Sequence, residues 1–143
     1  MALGHLLYIS DALRPMTIED LDAIRDVSNT FNAKHGITGV LLYSAGHFVQ
    51  LLEGEPTTIR ALYDKIVQDP RHMRVRLLVE RLADRRIFAD WDMGVLDLDR
   101  HEARHRASLD ELIDLAGTGA TSPDGTPIEM EILSRFCMLL PAS

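Results

Sequence analysis

Two segments with helical spacing of apolar residues separate short β-rich runs along most of the chain. Residues 17–36 begin with Thr17 and an acidic residue three positions later, which is the arrangement of a capping box, and they end at Gly36. Residues 57–70 repeat the helical pattern and end at a proline, which cannot continue a helix. The pattern therefore predicts two amphipathic helices with defined starts and stops.

The β-rich runs predict five strands and an order of elements. They are residues 5–10, 37–44, 47–54, 74–83 and 91–98. Only Ala45 and Gly46 separate the second run from the third, which is typical of a hairpin. The order β-α-β-β-α-β followed by an extra strand predicts an α+β, ferredoxin-like fold. In that fold a βαββαβ unit carries both helices on one sheet face, and its first and third strands are neighbours in the middle.

The pattern changes after about residue 98. Residues 99–116 predict one helix, 117–126 a loop rich in glycine, proline and serine, and the residues from 127 onward a second helix. One side of this second helix is predicted to carry Ile128, Ile132, Phe136 and Leu139. We therefore predict a main domain over residues 1–98 and a C-terminal two-helix extension over residues 99–143.

Charge and cysteine content narrow the possible partners. The 143 residues carry a formal charge of −7, which argues against a nucleic-acid backbone as the main partner. Cys137 is the only cysteine, so a disulfide within the chain or a cysteine-based zinc site is not expected. The N-terminal residues lack the features of a signal peptide, and no apolar run is long enough to span a membrane. These features predict a cytoplasmic protein.

One stretch is basic in spite of the overall charge. It contains Arg71, Arg74, Arg76, Arg81, Arg85 and Arg86. Such a run usually solvates the face of a strand, and we prefer that interpretation to binding of a phosphorylated ligand.

Two polar residues fall at the centre of predicted strands. Tyr8 and Gln50 would lie on the two middle strands, and burial on the helix-covered face would place a phenol beside a primary amide. A buried amide needs partners for two donors and an acceptor, so a polar ligand between sheet and helices becomes possible. Taken singly, Tyr8 is more often an ordinary core residue.

Four separated motifs together indicate a family. They are Y8-I-S10, N32-A-K-H-G-I-T-G-V-L-L-Y-S-A-G-H-F-V-Q50-L-L-E-G, D69-P-R-H72 and W91-D-M93-G. In order and spacing the chain resembles the BLUF domain, a blue-light sensor that uses FAD, over roughly residues 5–98.

This resemblance implies a flavin bound without a covalent bond between the two helices. Tyr8 would donate an electron and a proton to the excited flavin, and Gln50 would link Tyr8 to the ring and rearrange its hydrogen bonds after light. Trp91 and Met93, on the last strand, would sense that change and transmit it. The implied cofactor-binding residues are Ile24, Ser28, Asn32, Lys65, Ile66, Asp69, Arg71 and His72.

The chain departs from the family pattern at three positions. Phe31 stands where many relatives have a polar residue, Lys65 where an arginine is frequent, and Asp92 where a serine is common. A lysine can meet a phosphate as a point charge but cannot form the bidentate contact of an arginine. None of the three changes Tyr8 or Gln50, so altered cofactor binding is expected before lost photochemistry.

A short motif in the tail suggests an alternative function, namely metal-dependent chemistry. Residues 101–105, H-E-A-R-H, match a zinc-protease pattern, but the surrounding sequence is highly charged and supplies no clear third ligand. We therefore favour a solvated helix face there.

The predicted function is a blue-light photoreceptor rather than an enzyme. The tail is too short for a catalytic output domain, so the signal would leave through a protein surface, with a homo-oligomer and an unidentified protein partner expected. Two alternatives remain open, namely a small flavin- or metal-dependent enzyme on a ferredoxin-like fold and a light-insensitive assembly module.

Overall fold

One mixed β-sheet organises the chain, and the computed structural model describes residues 2–97 and 127–136. The elements in chain order are β1 (Gly4–Ala12), α1 (Ile18–His35), β2 (Thr38–Ser44), β3 (His47–Gly54), α2 (Pro56–Val67), β4 (His72–Leu82), β5 (Gly94–Asp97) and α3 (Ile128–Phe136). The strand order across the sheet is β4-β1-β3-β2-β5. Neighbouring strands are antiparallel except β2 and β5, which are parallel. The predicted ferredoxin-like order, with β1 and β3 adjacent, is confirmed.

Local signals set the ends of α1 as predicted, whereas α2 ends at Val67, three residues before Pro70. The Thr17 hydroxyl accepts from the Asp20 amide at 3.1 Å, and the Asp20 carboxylate accepts from the Thr17 amide at 2.9 Å, which completes the capping box before α1. Gly36 ends α1 in the left-handed conformation, with φ of 66°. Ala45 and Gly46 both have positive φ, as a two-residue hairpin turn between β2 and β3 requires.

Both faces of the sheet are covered. Leu6, Leu41 and Leu52 point toward α1 and α2, as predicted for a sheet with both helices on one face. The opposite face, which includes Leu7, Val49 and Leu51, packs against α3. The α3 residues in that core are Ile128, Ile132, Leu133 and Phe136. Because helices cover both faces of the sheet, every residue of β2 is buried, and so is every residue of β3 except the first.

The placement of Trp91 and Met93 needs correction. Trp91 and Met93 do not lie on the last strand, which begins only at Gly94. The reason is that the carbonyl of Trp91 accepts from the amide of Gly39 at 3.0 Å, and the Trp91 ring lies over Gly94, where an added Cβ would be 2.2 Å from it. The chain therefore already contacts β2 at Trp91, and regular pairing of β5 with β2 begins at Gly94.

Arg74, Arg76 and Arg81 lie on β4, which is mostly exposed, as predicted for a solvated strand face, and they also form ion pairs. Arg74 and Arg76 both bind Asp11, and Arg81 binds Glu129 through two nitrogen atoms, at 2.6 and 2.7 Å. Each of these carboxylates lies on another element, so the arginines connect β4 to β1 and to α3.

A buried ionic cluster joins α3 to the sheet. His5 Nδ1 donates to Glu129 Oε2 at 3.3 Å, and His5 Nε2 lies 3.1 Å from Glu53 Oε2. Both carboxylates have no solvent exposure. Burial alone would lower the pKa of His5, but the hydrogen bond to Glu129 and the adjacent Glu53 raise it to about 9. Burial would raise the pKa of Glu129, but hydrogen bonds from Arg81 and His5 lower it to about 2. His5 is therefore a cation at neutral pH.

Part of the predicted tail lies outside the described residues. This holds for the helix over 99–116, the loop over 117–126, the H-E-A-R-H motif and Leu139. Within residues 2–97 and 127–136, no cluster of three or more His, Cys, Asp or Glu side chains is suited to a metal ion. No helix in the same ranges has the length and apolar character needed to cross a bilayer.

We expect the His5 cluster to make the folded chain less stable as the pH becomes alkaline. His5 binds its proton more tightly in the folded chain, so its contribution is complete below pH 6.5, the ordinary pKa, and is lost as pH rises through about 9. The free energy of unfolding should fall by up to about 3 kcal/mol across that window. Urea unfolding at several pH values measures the slope, which should flatten in His5→Asn. An equal slope in that variant would contradict the assignment.

Candidate functional site

A cavity of about 290 Å³ opens between α1 and α2 above the central strands of the sheet. Its lining residues are Tyr8, Ile24, Val27, Ser28, Phe31, Asn32, Leu41, Phe48, Gln50, Leu62, Lys65, Ile66, Asp69, Arg71 and His72. The structure thus brings together every residue that was predicted to be photoactive or to bind the cofactor. Trp91 and Met93 do not line it and flank a shallow surface depression beside β5 instead.

Sequence reasoning missed several apolar walls of this cavity. Leu41 lies opposite Gln50 on the neighbouring strand, and Phe48 lies two residues before Gln50 on the same face. Strand alternation was enough to find Phe48, and helical spacing from Ile66 was enough to find Leu62. Val27 also has helical spacing, three residues after Ile24, although it is 69% exposed.

A hydrogen-bonded chain runs across the floor of the cavity. Tyr8 on β1 is directly opposite Gln50 on β3, and its hydroxyl donates to the Gln50 carbonyl oxygen. The Gln50 amide nitrogen donates to the sulfur of Met93 at 3.4 Å. All three side chains are at least 95% buried. The amide therefore bridges a phenol and a thioether at the centre of the sheet.

The phenol of Tyr8 stays protonated. Burial, together with the negative charge of Asp69, raises the pKa of Tyr8 far above its ordinary value. A neutral phenol is a hydrogen-bond donor, which is the role that the carbonyl oxygen of Gln50 requires. The Tyr8–Gln50 contact is thus maintained across the whole physiological pH range.

Asn32 lines the cavity and also binds the segment before β5. Its amide nitrogen donates to the main-chain carbonyl of Asp92 at 2.7 Å, and its side chain is almost completely buried. Ser28 lies one turn earlier on α1 and lines the same cavity. The departure at position 92 leaves this bond in place, because the bond uses the main chain of Asp92.

His72 is oriented by contacts at both ring nitrogens. Nε2 lies 2.6 Å from the carbonyl oxygen of Ile66, which can only accept, so Nε2 carries the proton. In the neutral ring Nδ1 then accepts from the hydroxyl of Ser10, 2.8 Å away. The ring stands edge-on to Tyr8, with centroids 6.1 Å apart. His72 therefore shapes the cavity through its ring while both nitrogens are engaged by the protein.

Charged groups surround the end of the cavity near α2. Asp69 and Arg71 form a bidentate pair, and hydrogen bonds from Arg71 lower the pKa of Asp69. Lys65 is exposed and places its ammonium 5.5 Å from the ring centroid of Phe31. Phe31, which stands where many relatives have a polar residue, thus contacts a cation with its ring face.

Met93 and Trp91 have different surroundings. Met93 is 3% exposed and contacts Gln50, whereas the Trp91 side chain is 43% exposed and its ring lies 5.4 Å from that of Phe88. Of the two residues predicted to transmit a signal, Met93 is therefore the one in contact with the amide.

The arrangement suits a flat heteroaromatic ligand. The walls are mostly apolar, a small set of polar groups converges from the sheet and from Asn32, and cationic side chains stand nearby. This composition is typical of cofactor pockets, and the volume is at the small end of their range of roughly 300–1,000 Å³. A flavin has a matching shape, with an apolar ring edge, a polar pyrimidine edge and a charged phosphate chain, so the residues present fit it.

Comparison with known proteins gives a consistent result. Residues 3–94 match the family model described as sensors of blue light using FAD. The chain is 45% identical over 92 residues to photoactivated adenylate cyclase subunit beta of Euglena longa, and 33% identical over 100 residues to the blue light- and temperature-regulated antirepressor BluF of Escherichia coli (strain K12). These alignments cover 64% and 70% of this chain.

Solved structures agree with the fold. The dark-state structure of the BLUF protein BlrB has a TM-score of 0.68 at 28% identity, covering 93% of this chain and 96% of that one. A bacterial light-regulated adenylyl cyclase has a TM-score of 0.67 at 33% identity, covering 81% of this chain and 33% of that one.

The chain spans only part of the length of these curated relatives. The alignments cover 11% of the Euglena longa cyclase subunit and 25% of the antirepressor. The family match covers most of the chain and coincides with the cavity and with the Tyr8–Gln50 pair. The chain belongs to the BLUF family of blue-light sensors that use FAD.

Proposed function

We propose that this chain senses blue light through a flavin held between α1 and α2 and signals through rearrangement of hydrogen bonds at Gln50. The observation that carries the proposal is the chain of contacts from Tyr8 through Gln50 to Met93 on the cavity floor. These contacts connect Tyr8 and Gln50, which line the cavity, to Met93, which does not.

Tyr8 is suited to redox chemistry coupled to a proton. A bound flavin supplies absorption of blue light and an excited state that accepts an electron and a proton. Tyr8 is neutral and donates its hydroxyl proton into a hydrogen bond, so its proton has a defined acceptor when the phenol is oxidised. The neighbouring Tyr63 contacts Tyr8 through its ring, with the two ring centroids 5.7 Å apart.

Gln50 is suited to act as a two-state element. An amide has an acceptor face and a donor face, and in the structure the acceptor meets Tyr8 while the donor meets Met93. The sulfur of Met93 can accept weakly but cannot donate, so it favours this orientation over the reversed one. A change of the amide would therefore alter its contact with Met93, which gives the site two distinguishable hydrogen-bond states.

The family description supports FAD as the flavin. Arg71 and Lys65 place positive charge beside the cavity, which suits the phosphate of a flavin nucleotide, and the cavity volume fits the ring system rather than a complete dinucleotide. In the proposed arrangement the ring occupies the cavity and the phosphates lie near these side chains, where charge-assisted contacts are strong. The pair with Asp69 holds the guanidinium of Arg71 in place.

We further propose that the output is a contact with a protein partner, or between copies of this chain. The supporting observation is that Met93 precedes the edge strand β5, so a change there reaches the surface of the molecule. The cytoplasmic location and the division into residues 1–98 and 99–143 stay predictions.

The first prediction is spectroscopic. The purified protein, supplied with FAD, should show a flavin absorption band that shifts slightly to the red under blue light without bleaching and reverts in darkness. The band should shift because hydrogen bonds to the flavin ring change, and it should not bleach because the flavin returns to its original redox state. Absorption spectra before, during and after illumination measure it. A band that only bleaches would indicate redox turnover instead, and absence of flavin binding would refute the proposal.

A second prediction concerns the two central residues. Tyr8→Phe and Gln50→Leu should each keep flavin bound and lose the reversible red shift, because neither substituted side chain can form the hydrogen bond between positions 8 and 50. Tyr63→Phe is a matched control, since it removes a hydroxyl from the adjacent ring and should leave the shift unchanged. A normal photocycle in Tyr8→Phe would remove Tyr8 from its proposed role.

A third prediction tests the phosphate contact. Arg71→Gln should weaken binding of FAD by roughly tenfold, as expected for loss of one charge-assisted hydrogen bond, and should leave binding of riboflavin, which has no phosphate, almost unchanged. Fluorescence titration measures both affinities. Arg25→Gln, on α1 and outside the cavity, is the control. Equal weakening of riboflavin binding would show that Arg71 acts only through Asp69.

A further inference from the structure

Glu53 is a buried carboxylate that does not line the cavity and has no part in the proposed photochemistry. Its Oε1 accepts from the Thr38 hydroxyl at 2.9 Å and from the Phe88 amide at 3.0 Å, and its Oε2 accepts from the Ile87 amide. The same Oε2 lies 3.1 Å from His5 Nε2. A carboxylate with no exposure therefore lies beside the His5 cation and is held by hydrogen bonds from three donors. Two of them are main-chain amides of the segment that leads to Met93.

That segment is short and closely connected to the cavity floor. The amide of Trp91 donates to the carbonyl of Phe88 at 3.0 Å, and the two rings are 5.4 Å apart. Two residues later, Met93 accepts from the amide of Gln50. Met93 is therefore connected, through Trp91 and Phe88, to the residues whose amides bind Glu53.

The other side of Glu53 leads to α3. His5 lies between Glu53 and Glu129, and Glu129 is also bound by two nitrogens of Arg81. Glu129 is in the first turn of α3 and is completely buried. Contacts are therefore continuous from the segment before β5, through Glu53 and His5, to α3.

The position of Glu53 on β3 makes this connection possible. Gln50 and Glu53 are three residues apart, so their side chains point to opposite faces of the sheet. Gln50 faces the cavity, and Glu53 lies on the face that α3 covers, where Leu51 and Val49 also lie. Because the cluster is buried, loss of a donor to Glu53 is not compensated by water, which makes its members respond together.

We propose that Glu53 and His5 are positioning residues that couple the Gln50–Met93 contact to α3. As a route for a light signal this rests on the proposed function, whereas the coupling between α3 and residues 87–88 is a property of the folded chain. A change at Met93 alters the hydrogen bonds that the main-chain amides of Ile87 and Phe88 donate to Glu53. This alters the ion pair between Glu53 and His5, and so the contact between His5 and Glu129. Coupling of this kind is reciprocal, so a change at Glu129 must be felt at residues 87 and 88.

Glu129→Gln tests the coupling in the full chain without light. Gln keeps one acceptor oxygen and replaces the other with a donor, so it cannot satisfy His5 and the fork of Arg81 together. Hydrogen exchange measured by NMR in the dark should speed up severalfold at the Ile87 and Phe88 amides. Glu131→Gln, on the same helix, is the matched control, because the carboxylate of Glu131 binds Arg135 rather than the cluster. Unchanged exchange at residues 87 and 88 in Glu129→Gln would overturn the proposal.

A double-mutant cycle tests the route in the light. Glu129→Gln should change the rate of dark recovery of the red-shifted band at least twofold without changing the size of the shift. In a Glu53→Gln background, Glu129→Gln should have no further effect on that rate. An equal effect in both backgrounds would overturn Glu53 as the connection. A wild-type protein with no red shift would refute the proposed function, while exchange at residues 87 and 88 would still decide the coupling.

A milder variant protects the test against loss of folding. Arg81→Lys keeps the charge beside Glu129 but removes the bidentate contact, and the Arg81 side chain is 41% exposed, so the fold should tolerate it. It should change exchange at Ile87 and Phe88 in the same direction as Glu129→Gln and by a smaller factor. No change in this variant, in a protein shown to be folded, would also contradict the coupling.

Discussion

The contact between Tyr8 and Gln50 is the interaction on which the rest of the structure depends. It requires β1 and β3 to be neighbours in the middle of the sheet, in the register that places these residues opposite each other. A phenol and an amide at that depth need hydrogen-bond partners, because an unpaired polar group costs free energy when it is buried. They partner each other, Met93 accepts from the amide nitrogen of Gln50, and both side chains also line the cavity between α1 and α2.

The same sheet carries a second polar group on its other face. Glu53 and His5 are register partners on β3 and β1, and α3 covers them. Both polar groups therefore depend on the same strand pairing, one between the sheet and α1/α2 and one between the sheet and α3. The segment before β5 contacts both, through Met93 on one side and the amides of Ile87 and Phe88 on the other. This shared segment is the physical basis for coupling the two faces.

Much of the cavity could be predicted because family motifs mark it. The predicted photoactive and cofactor-binding residues all line it, and the capping box and Gly36 end α1 as expected. Trp91 and Met93 were placed wrongly on β5, because an apolar run does not show where main-chain contacts divert a strand. Phe31 was noted only as a departure, and its contact with Lys65 required the packing of α1 against α2.

The sequence by itself determined the order of helices and strands, since local spacing, capping residues and turn residues act within a few positions of the chain. It also identified the family, since several motifs had to occur in register. Only the tertiary structure decided that Met93 rather than Trp91 meets Gln50, and that the arginines of β4 bind carboxylates on other elements. His5 and Glu129 are 124 positions apart, and no local pattern links them. Their contact exists because sheet register and the packing of α3 bring distant residues together.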